Sequence, residues 1–233
     1  MKLSLRLSTI AAYIPSGSKV ADIGTDHAYL PVYLVKQGIC PGVIAADIHN
    51  APFQSALRTV ESFCLGDKIS VRLGDGLKVL RPGEVETIVI AGMGGNTMEQ
   101  IFSRAPEVIK DVRRLVLQPM TDTEKIREWL WANGWILLDE DLVAEDGKLY
   151  EFLVAEPGRE QPKDSLIGPR LIEKRHPLLT KLLEQKEKQL AGILAGVSKS
   201  TDSSTRAQIG ELQEQLEKIE KVKKWLTAEQ SAN

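Results

Sequence analysis

Between Val20 and Gly134 five short apolar runs are interspersed with four longer stretches of helical spacing, and this alternation restricts the chain to very few folds. The runs Val20–Ile23, Val43–Ala46, Ile69–Leu73, Thr87–Ile90 and Arg114–Leu117 have the length and β-branched content of buried strands. Between and after them, 30–37, 50–65, 96–104 and 121–133 read as helices, with Asn50 a plausible N-cap and Gly38 and Gly134 as stops. Strand, helix, strand repeated in this way means a parallel sheet covered on both faces. The pattern then changes. Trp135–Ala144 and Lys148–Ala155 are two β-rich runs around Glu145-Asp146-Gly147, a hairpin signal, so the seven-stranded sheet is expected to end in an antiparallel pair. Ahead of the sheet, Leu3, Leu7, Ile10, Ala11 and Ile14 predict a lead-in helix.

Beyond Pro157-Gly158 the composition shifts. Leu179, Leu182, Leu190, Ile193 and Val197, then Ile209, Leu212, Leu216, Ile219, Val222 and Leu226, predict two amphipathic helices joined by a polar break at 198–204. The second set advances by three and four, so an antiparallel helical coiled coil is expected. The organisation is therefore a domain over 1–158 and a helical domain over 159–233. The first carries 16 Lys/Arg against 21 Asp/Glu and the second 14 against 11. That asymmetry fits either a polyanion contact through the second part or a plain solvated helical face.

In an open parallel sheet, ligands collect at the carboxyl ends of the strands. Here each of those ends is small or acidic. The first reads Asp22-Ile23-Gly24-Thr25-Asp26-His27. Gly24 holds the first position of a dinucleotide fingerprint, but Asp26 replaces the second glycine and Tyr29 the third. A pyrophosphate needs bare N–H groups and no carboxylate. Asp26 would repel it, and would attract a cofactor carrying an ammonium and a sulfonium, the charge pattern of S-adenosylmethionine. Asp47, followed by Ile48, lies 23 residues after Gly24, where an acid accepts hydrogen bonds from ribose hydroxyls or, in the plainer reading, complements a helix dipole. Asp75, between Gly74 and Gly76, suits an adenine amino group or an ordinary turn.

Three glycines crowd Ala91-Gly92-Met93-Gly94-Gly95, as expected where ligands pass close to the backbone. Met93 fits core or pocket, and Asn96 an N-cap or a substrate contact. His27 and Tyr29 fit structural packing or the ligand edge, with Tyr29 able to stack on a base. Arg6 fits a phosphate contact or an unremarkable surface charge. His27, His49 and His176 have no metal-ligand spacing, and no metal is expected. Cys40 and Cys64 read as reduced, buried thiols of a cytoplasmic protein; no apolar stretch approaches a membrane span.

Asp-Ile-Gly-Thr-Asp-His-Ala-Tyr-Leu-Pro (22–31), Ala-Asp-Ile (46–48), Gly-Asp-Gly (74–76) and Ala-Gly-Met-Gly-Gly (91–95), with Leu5-Arg6-Leu7 and the helical C-terminal part, resemble the bacterial tRNA (adenine(22)-N1)-methyltransferase family, TrmK. The resemblance implies a class I methyltransferase domain, S-adenosylmethionine as donor and N1 of a tRNA adenine as acceptor. On that reading Asp22, Gly24, Asp26, His27, Asp47, Ile48, Asp75, Gly76, Ala91, Gly92 and Met93 surround the cofactor. Arg6, Tyr29, Gly94 and Asn96 meet the substrate, and Asp26 and Tyr29 serve the transfer step. Methylation of another substrate, a non-catalytic nucleotide-binding scaffold and a nucleotide-linked dehydrogenase are the competing readings. Asp26 and the terminal hairpin speak against the last.

Overall fold

The computed structural model describes residues 1–197 and 203–230. These fall in two compact units, one up to Ser165 and one from Leu166 onward. In the first, α1 (Leu5–Ala12) leads into β1 (Val20–Ile23), α2 (Tyr29–Lys36), β2 (Val43–Asp47), α3 (Asn50–Ser62) and β3 (Ile69–Leu73). Then come β4 (Thr87–Met93), α4 (Gly95–Ser103), a short α5 (Pro106–Ile109), β5 (Arg114–Pro119), α6 (Thr123–Ala132), β6 (Trp135–Glu145) and β7 (Lys148–Pro157). The strands form one sheet in the order β3-β2-β1-β4-β5-β7-β6. β1 to β5 pair in parallel; β7 runs antiparallel to both β5 and β6.

The central strands are buried on both faces because helices cover both, which is why they read as continuous apolar runs rather than alternating ones. Successive residues still divide between two cores. Ile88, Ile90, Leu115 and Leu117 join Phe102, Ile126 and Trp129 on one side. Val89 and Val116 join Ile10, Leu30, Leu34 and Phe152 on the other. The β6–β7 hairpin closes through Asp146 and Gly147, both with positive φ (49° and 75°), the geometry that matches the twist of paired strands. Fully buried Arg127 on α6 donates to Glu140 on β6 (2.6 Å), Glu151 on β7 (2.8 Å) and the Ser165 carbonyl (2.8 Å). It ties helix, hairpin and the end of the first unit together; nothing in its sequence surroundings marked it as buried.

Several details differ from expectation. Asn50 is not the N-cap of α3; His49 is, and Asn50 is the first helical residue. Gly94 rather than Asn96 precedes α4. Cys64 is exposed, while Cys40 is buried. The stretch after Pro157 is tied down, since Glu160 accepts from Trp131 Nε1 and from the Leu137 N–H, both at 2.9 Å.

The second unit contains α7 (Pro169–Glu173), α8 (Leu179–Val197) and α9 (Ser203–Gln230). Leu179, Leu182, Leu190, Leu212 and Ile219 are buried, and Lys223 on α9 meets Glu187 on α8 at 2.9 Å. Ile193, expected on the seam, is exposed. Of the expected break, 198–202 lies outside the described residues and Ser203 and Ser204 belong to α9.

Candidate functional site

The strand order grows outward from β1 through β2 to β3, then returns to β4. That reversal opens a crevice at the carboxyl ends of β1 and β4, where open α/β sheets hold ligands. A cavity of about 300 Å³ lies there, lined by Gly24, Asp47, Ile48, Gly76, Met93 and Ile101 among others. Its chemistry is mixed. Ile48, Met93 and Ile101 provide apolar walls for a flat ring, and Asp47 and Asp75 provide acceptors at one end.

Gly24 must be glycine. Its φ is +79°, and a Cβ there would stand 2.4 Å from the Met93 Cε. Its N–H and that of Thr25 both reach the Ala46 carbonyl (2.7 and 3.0 Å), which turns the chain tightly over the end of β2. Asp22 is buried and accepts from the Thr25 hydroxyl at 2.7 Å. Burial pushes its carboxyl up to about 6, while the Thr25 hydrogen bond and the charge of Arg6 pull the other way. Asp47, also buried, has one carboxylate oxygen on the His49 N–H at 2.8 Å, which fixes its orientation at the cavity wall. Asp75 is met by Lys78 Nζ at 2.7 Å and more loosely by Arg104 at 3.9 Å. The Lys78 hydrogen bond holds the Asp75 carboxyl below the usual range.

The loop after β1 is backbone-strained. Asp26 and Ala28 both have positive φ (49° and 55°). Between and after them His27 and Tyr29 stack with ring centroids 5.2 Å apart and nearly parallel planes. The Asp26 side chain is 67% exposed, with His27 Nε2 at 3.6 Å. Tyr29 is 47% exposed, large for an aromatic ring beside a ligand crevice. These three side chains are exposed after the carboxyl end of β1; Asp26, His27 and Tyr29, two of them expected at the cofactor, do not line the cavity of Asp47 and Asp75.

The glycines after β4 divide into two kinds. Gly92 has φ +79°, and a Cβ on it would face the Arg6 guanidinium at 3.8 Å. Gly94 and Gly95 instead admit the loop after β5: a Cβ would meet Thr121 Oγ1 at 2.8 Å and the Asp122 carbonyl at 2.2 Å, respectively. These two glycines make room for the protein's own loop, Gly94 for the Thr121 side chain and Gly95 for the Asp122 backbone. Asn96 lies in the first turn of α4 and Met93 reaches the cavity. Arg6 is half-buried, donating to Gln118 Oε1 at 2.9 Å with its guanidinium 5.7 Å from the centre of the Tyr150 ring. Gln118, Tyr150 and Arg104 were missed from sequence. Only Gln118 carried a signal, as the polar residue ending a strand. Among the described residues no His, Cys, Asp or Glu cluster could hold a metal, and no described helix is long and apolar enough to cross a membrane.

A seven-stranded sheet in this order, with β7 antiparallel and an acid-and-glycine edge at β1, β2 and β4, defines a class I methyltransferase fold. A methyltransferase domain family matches residues 3–153. The tRNA (adenine(22)-N(1))-methyltransferase of Bacillus subtilis strain 168 is 41% identical over 231 residues, spanning 95% of this chain and 97% of that protein. The crystal structure of B. subtilis TrmK, the m1A22 tRNA methyltransferase, superposes with a TM-score of 0.87 at 39% identity, covering 95% of this chain and 98% of that one. A Streptococcus pneumoniae structure in complex with S-adenosyl-L-methionine gives 0.86 at 32% identity, covering 95% and 99%. The chain belongs to the tRNA (adenine(22)-N(1))-methyltransferase family.

Proposed function

We propose that this protein transfers the methyl group of S-adenosylmethionine to N1 of adenine 22 in tRNA. The observation that carries the reading is the 41% identity to the B. subtilis enzyme, which runs through both units rather than the catalytic fold alone. The site suits the cofactor. An apolar-walled cavity, a glycine turn at Gly24 and buried acids at Asp22 and Asp47 match a nucleoside joined to a cationic amino-acid arm. Asp47 would accept the ribose hydroxyls, and Asp75 the adenine amino group once its hydrogen bond with Lys78 loosens. Ile48 and Met93 would flank the adenine ring beside Gly76. Gly24, Ala91 and Gly92 would give backbone access, and Asp22 a counter-charge to the ammonium.

When bound, S-adenosylmethionine supplies a methyl made electrophilic by its sulfonium. Adenine N1 has a free lone pair, so the protein needs no general base to generate the nucleophile. Its task is placement in line with the breaking bond. The adenine becomes cationic as N1–C forms, and acids at the crevice stabilise that charge. Asp26 and Asp22 are the acids at the turn beside it, Asp26 acting from the solvent side. The N1 edge is hidden when an adenine is paired, so the base must be extruded. The stacked His27–Tyr29 pair, exposed at the mouth, is a platform for it. Asn96, in the first turn of α4, would offer the base a polar contact, whereas Gly94 is taken up by the loop after β5.

The 1–158 region is the methyltransferase domain on this reading, and the helical part from 159 docks the tRNA. Lys181, Lys188 and Lys221 are exposed there, whereas Lys218, Lys223 and Lys224 are paired with Glu214, Glu187 and Glu220. The protein works in the cytoplasm, where its tRNA is. Tritium transfer from S-adenosylmethionine to unmodified tRNA, followed by nucleoside analysis, tests the reading. The label should appear in 1-methyladenosine; label in another nucleoside, or none, would contradict it.

A further inference from the structure

The cavity of Asp47 and Asp75 takes up only part of the ligand edge. Its walls come from the ends of β1, β2 and β3, with Met93 at the end of β4 and one face of α4 closing it. The end of β5 contributes nothing to it, yet pairs with the end of β4 beside Met93. There Met120 is 47% exposed. A single exposed methionine carries no meaning, but exposed apolar side chains gathered on a ligand edge do. In the first unit Tyr29, Ile48, Leu73 and Met120 are all large, exposed and placed at or just after the carboxyl ends of parallel strands. Ile48 belongs to the cavity and Tyr29 to the stacked pair with His27. Met120 stands on the other side of β4 from both.

Met120 is exposed but firmly held. Its N–H donates to the Met93 carbonyl at 2.8 Å, and the Gly95 N–H donates to the Thr121 carbonyl at 2.8 Å, so the loop after β5 is fastened to the loop after β4. The Met93 side chain in turn reaches back to Gly24, where a Cβ would stand 2.4 Å from its Cε. Met120 is thus one residue removed from the cavity wall. Its thioether is anchored as well. Gln118 Nε2 lies 3.5 Å from the sulfur, and Gln118 is itself fully buried, with its Oε1 accepting from Arg6. Two residues on, Asp122 has φ +54°, a strained backbone like that of Asp26 and Ala28 in the loop after β1.

Tyr29 follows β1 and Met120 follows β5, with β4 between those strands. Neighbouring strands lie about 4.8 Å apart, so the two loops leave the sheet about 10 Å apart. A flat ring in van der Waals contact on both faces needs about 7 Å between its walls, which side chains of ordinary length can close to. We infer that Met120 is the second wall of the slot for the extruded adenine, opposite Tyr29 across the end of β4. This rests on the proposed methylation of a tRNA adenine and names a residue that grips the base. A thioether suits the place. It is unbranched and polarisable, so it packs against a ring. It offers no strong donor to compete for the N1 lone pair, and no charge to oppose the cation that forms.

The test uses two tRNA transcripts, one with adenine at position 22 and one abasic there. Met120→Ala should weaken binding of the first roughly 5- to 20-fold, the scale of uncovering part of an apolar side chain, and leave the second within about twofold. Affinity for S-adenosylhomocysteine and the melting temperature should stay near wild type, because the side chain is half exposed and lies outside the cavity. Met120→Leu should keep most of the wild-type affinity, since it conserves apolar volume. Met120→Lys should lower kcat further than alanine does, by placing a cation beside the adenine as it becomes positive. Equal weakening of both transcripts by Met120→Ala would move the contact elsewhere on the RNA and overturn the inference. A lowered KM for tRNA in Met120→Lys would make the position a neighbour of phosphate and also overturn it, as would unchanged binding and turnover in Met120→Ala. Wild-type protein that methylates no tRNA adenine would instead overturn the function on which the inference rests.

Discussion

Asp22→Asn should make the protein more stable and a poorer binder of cofactor, and the stability gain should grow between about pH 4 and pH 6 and be complete only above about pH 6. The cause lies in the burial of Asp22. Without a ligand its carboxylate has the Thr25 hydroxyl at 2.7 Å and the more distant charge of Arg6 to offset the loss of water. Its carboxyl accordingly rises from 3.8 to about 6. A carboxyl raised on folding contributes stability that is full below its unfolded value and is lost as pH rises through its folded value. At about 1.36 kcal/mol per pH unit, the rise corresponds to a loss on the order of 3 kcal/mol. Asparagine carries no charge at any of these pH values and can still accept from Thr25. Its added N–H₂ group needs a partner, so the gain at about pH 7.5 should be roughly 1–3 kcal/mol, vanishing or reversing at about pH 4. Urea unfolding at the two pH values reads this directly. Calorimetry on the same variant should show weaker binding of S-adenosylhomocysteine, because the ammonium loses its counter-charge. A stability difference of the same size and sign at both pH values would refute the reasoning, since it would then owe nothing to ionisation.

Asp47→Ala should weaken S-adenosylmethionine binding by about 1.5–3 kcal/mol, as expected for hydrogen bonds to a charged acceptor; unchanged affinity by calorimetry would remove it from the ribose. Asp26→Asn should lower kcat several-fold with little change in melting temperature, the effect being moderated by the exposure of its carboxylate. A turnover within about twofold of wild type would show that the carboxylate takes no part in stabilising charge. Truncation after Ser165, where the first unit ends, should leave cofactor binding intact and remove most tRNA affinity. For every cation–phosphate pair that the truncation removes, the log affinity–log salt slope should flatten by roughly 0.7–0.9. A truncated protein that methylates tRNA at the full-length rate would rule out docking by the helical unit.

The parallel core was legible because its strands are buried on both faces and so stand out as apolar runs between Gly and Asp. The hairpin was legible because Asp146-Gly147 is a turn with little ambiguity. The acids at 22, 47 and 75 could be placed at the ligand edge for the same reason: a strand's end marks its own carboxyl side. What remained illegible was long-range pairing. That Arg6 would turn toward Gln118, 112 positions away, or Arg127 toward Glu140 and Glu151, depends on how separate elements meet in space, which no local pattern encodes. Gly94 and Gly95 misled in an instructive way. Glycine reports that something approaches closely, without saying whether it is ligand or the protein's own Thr121 and Asp122.

Methylation at N1 of a single tRNA adenine is tested most directly by reverse transcription across the product. A methyl on N1 blocks the pairing edge and halts the polymerase. A tRNA transcript incubated with the protein and S-adenosylmethionine should give a stop one nucleotide before adenine 22, the position named for the B. subtilis relative. The stop should vanish when that position is guanine or when the cofactor is omitted. A stop elsewhere, or full-length read-through of a transcript that has taken up methyl label, would contradict methylation at that site.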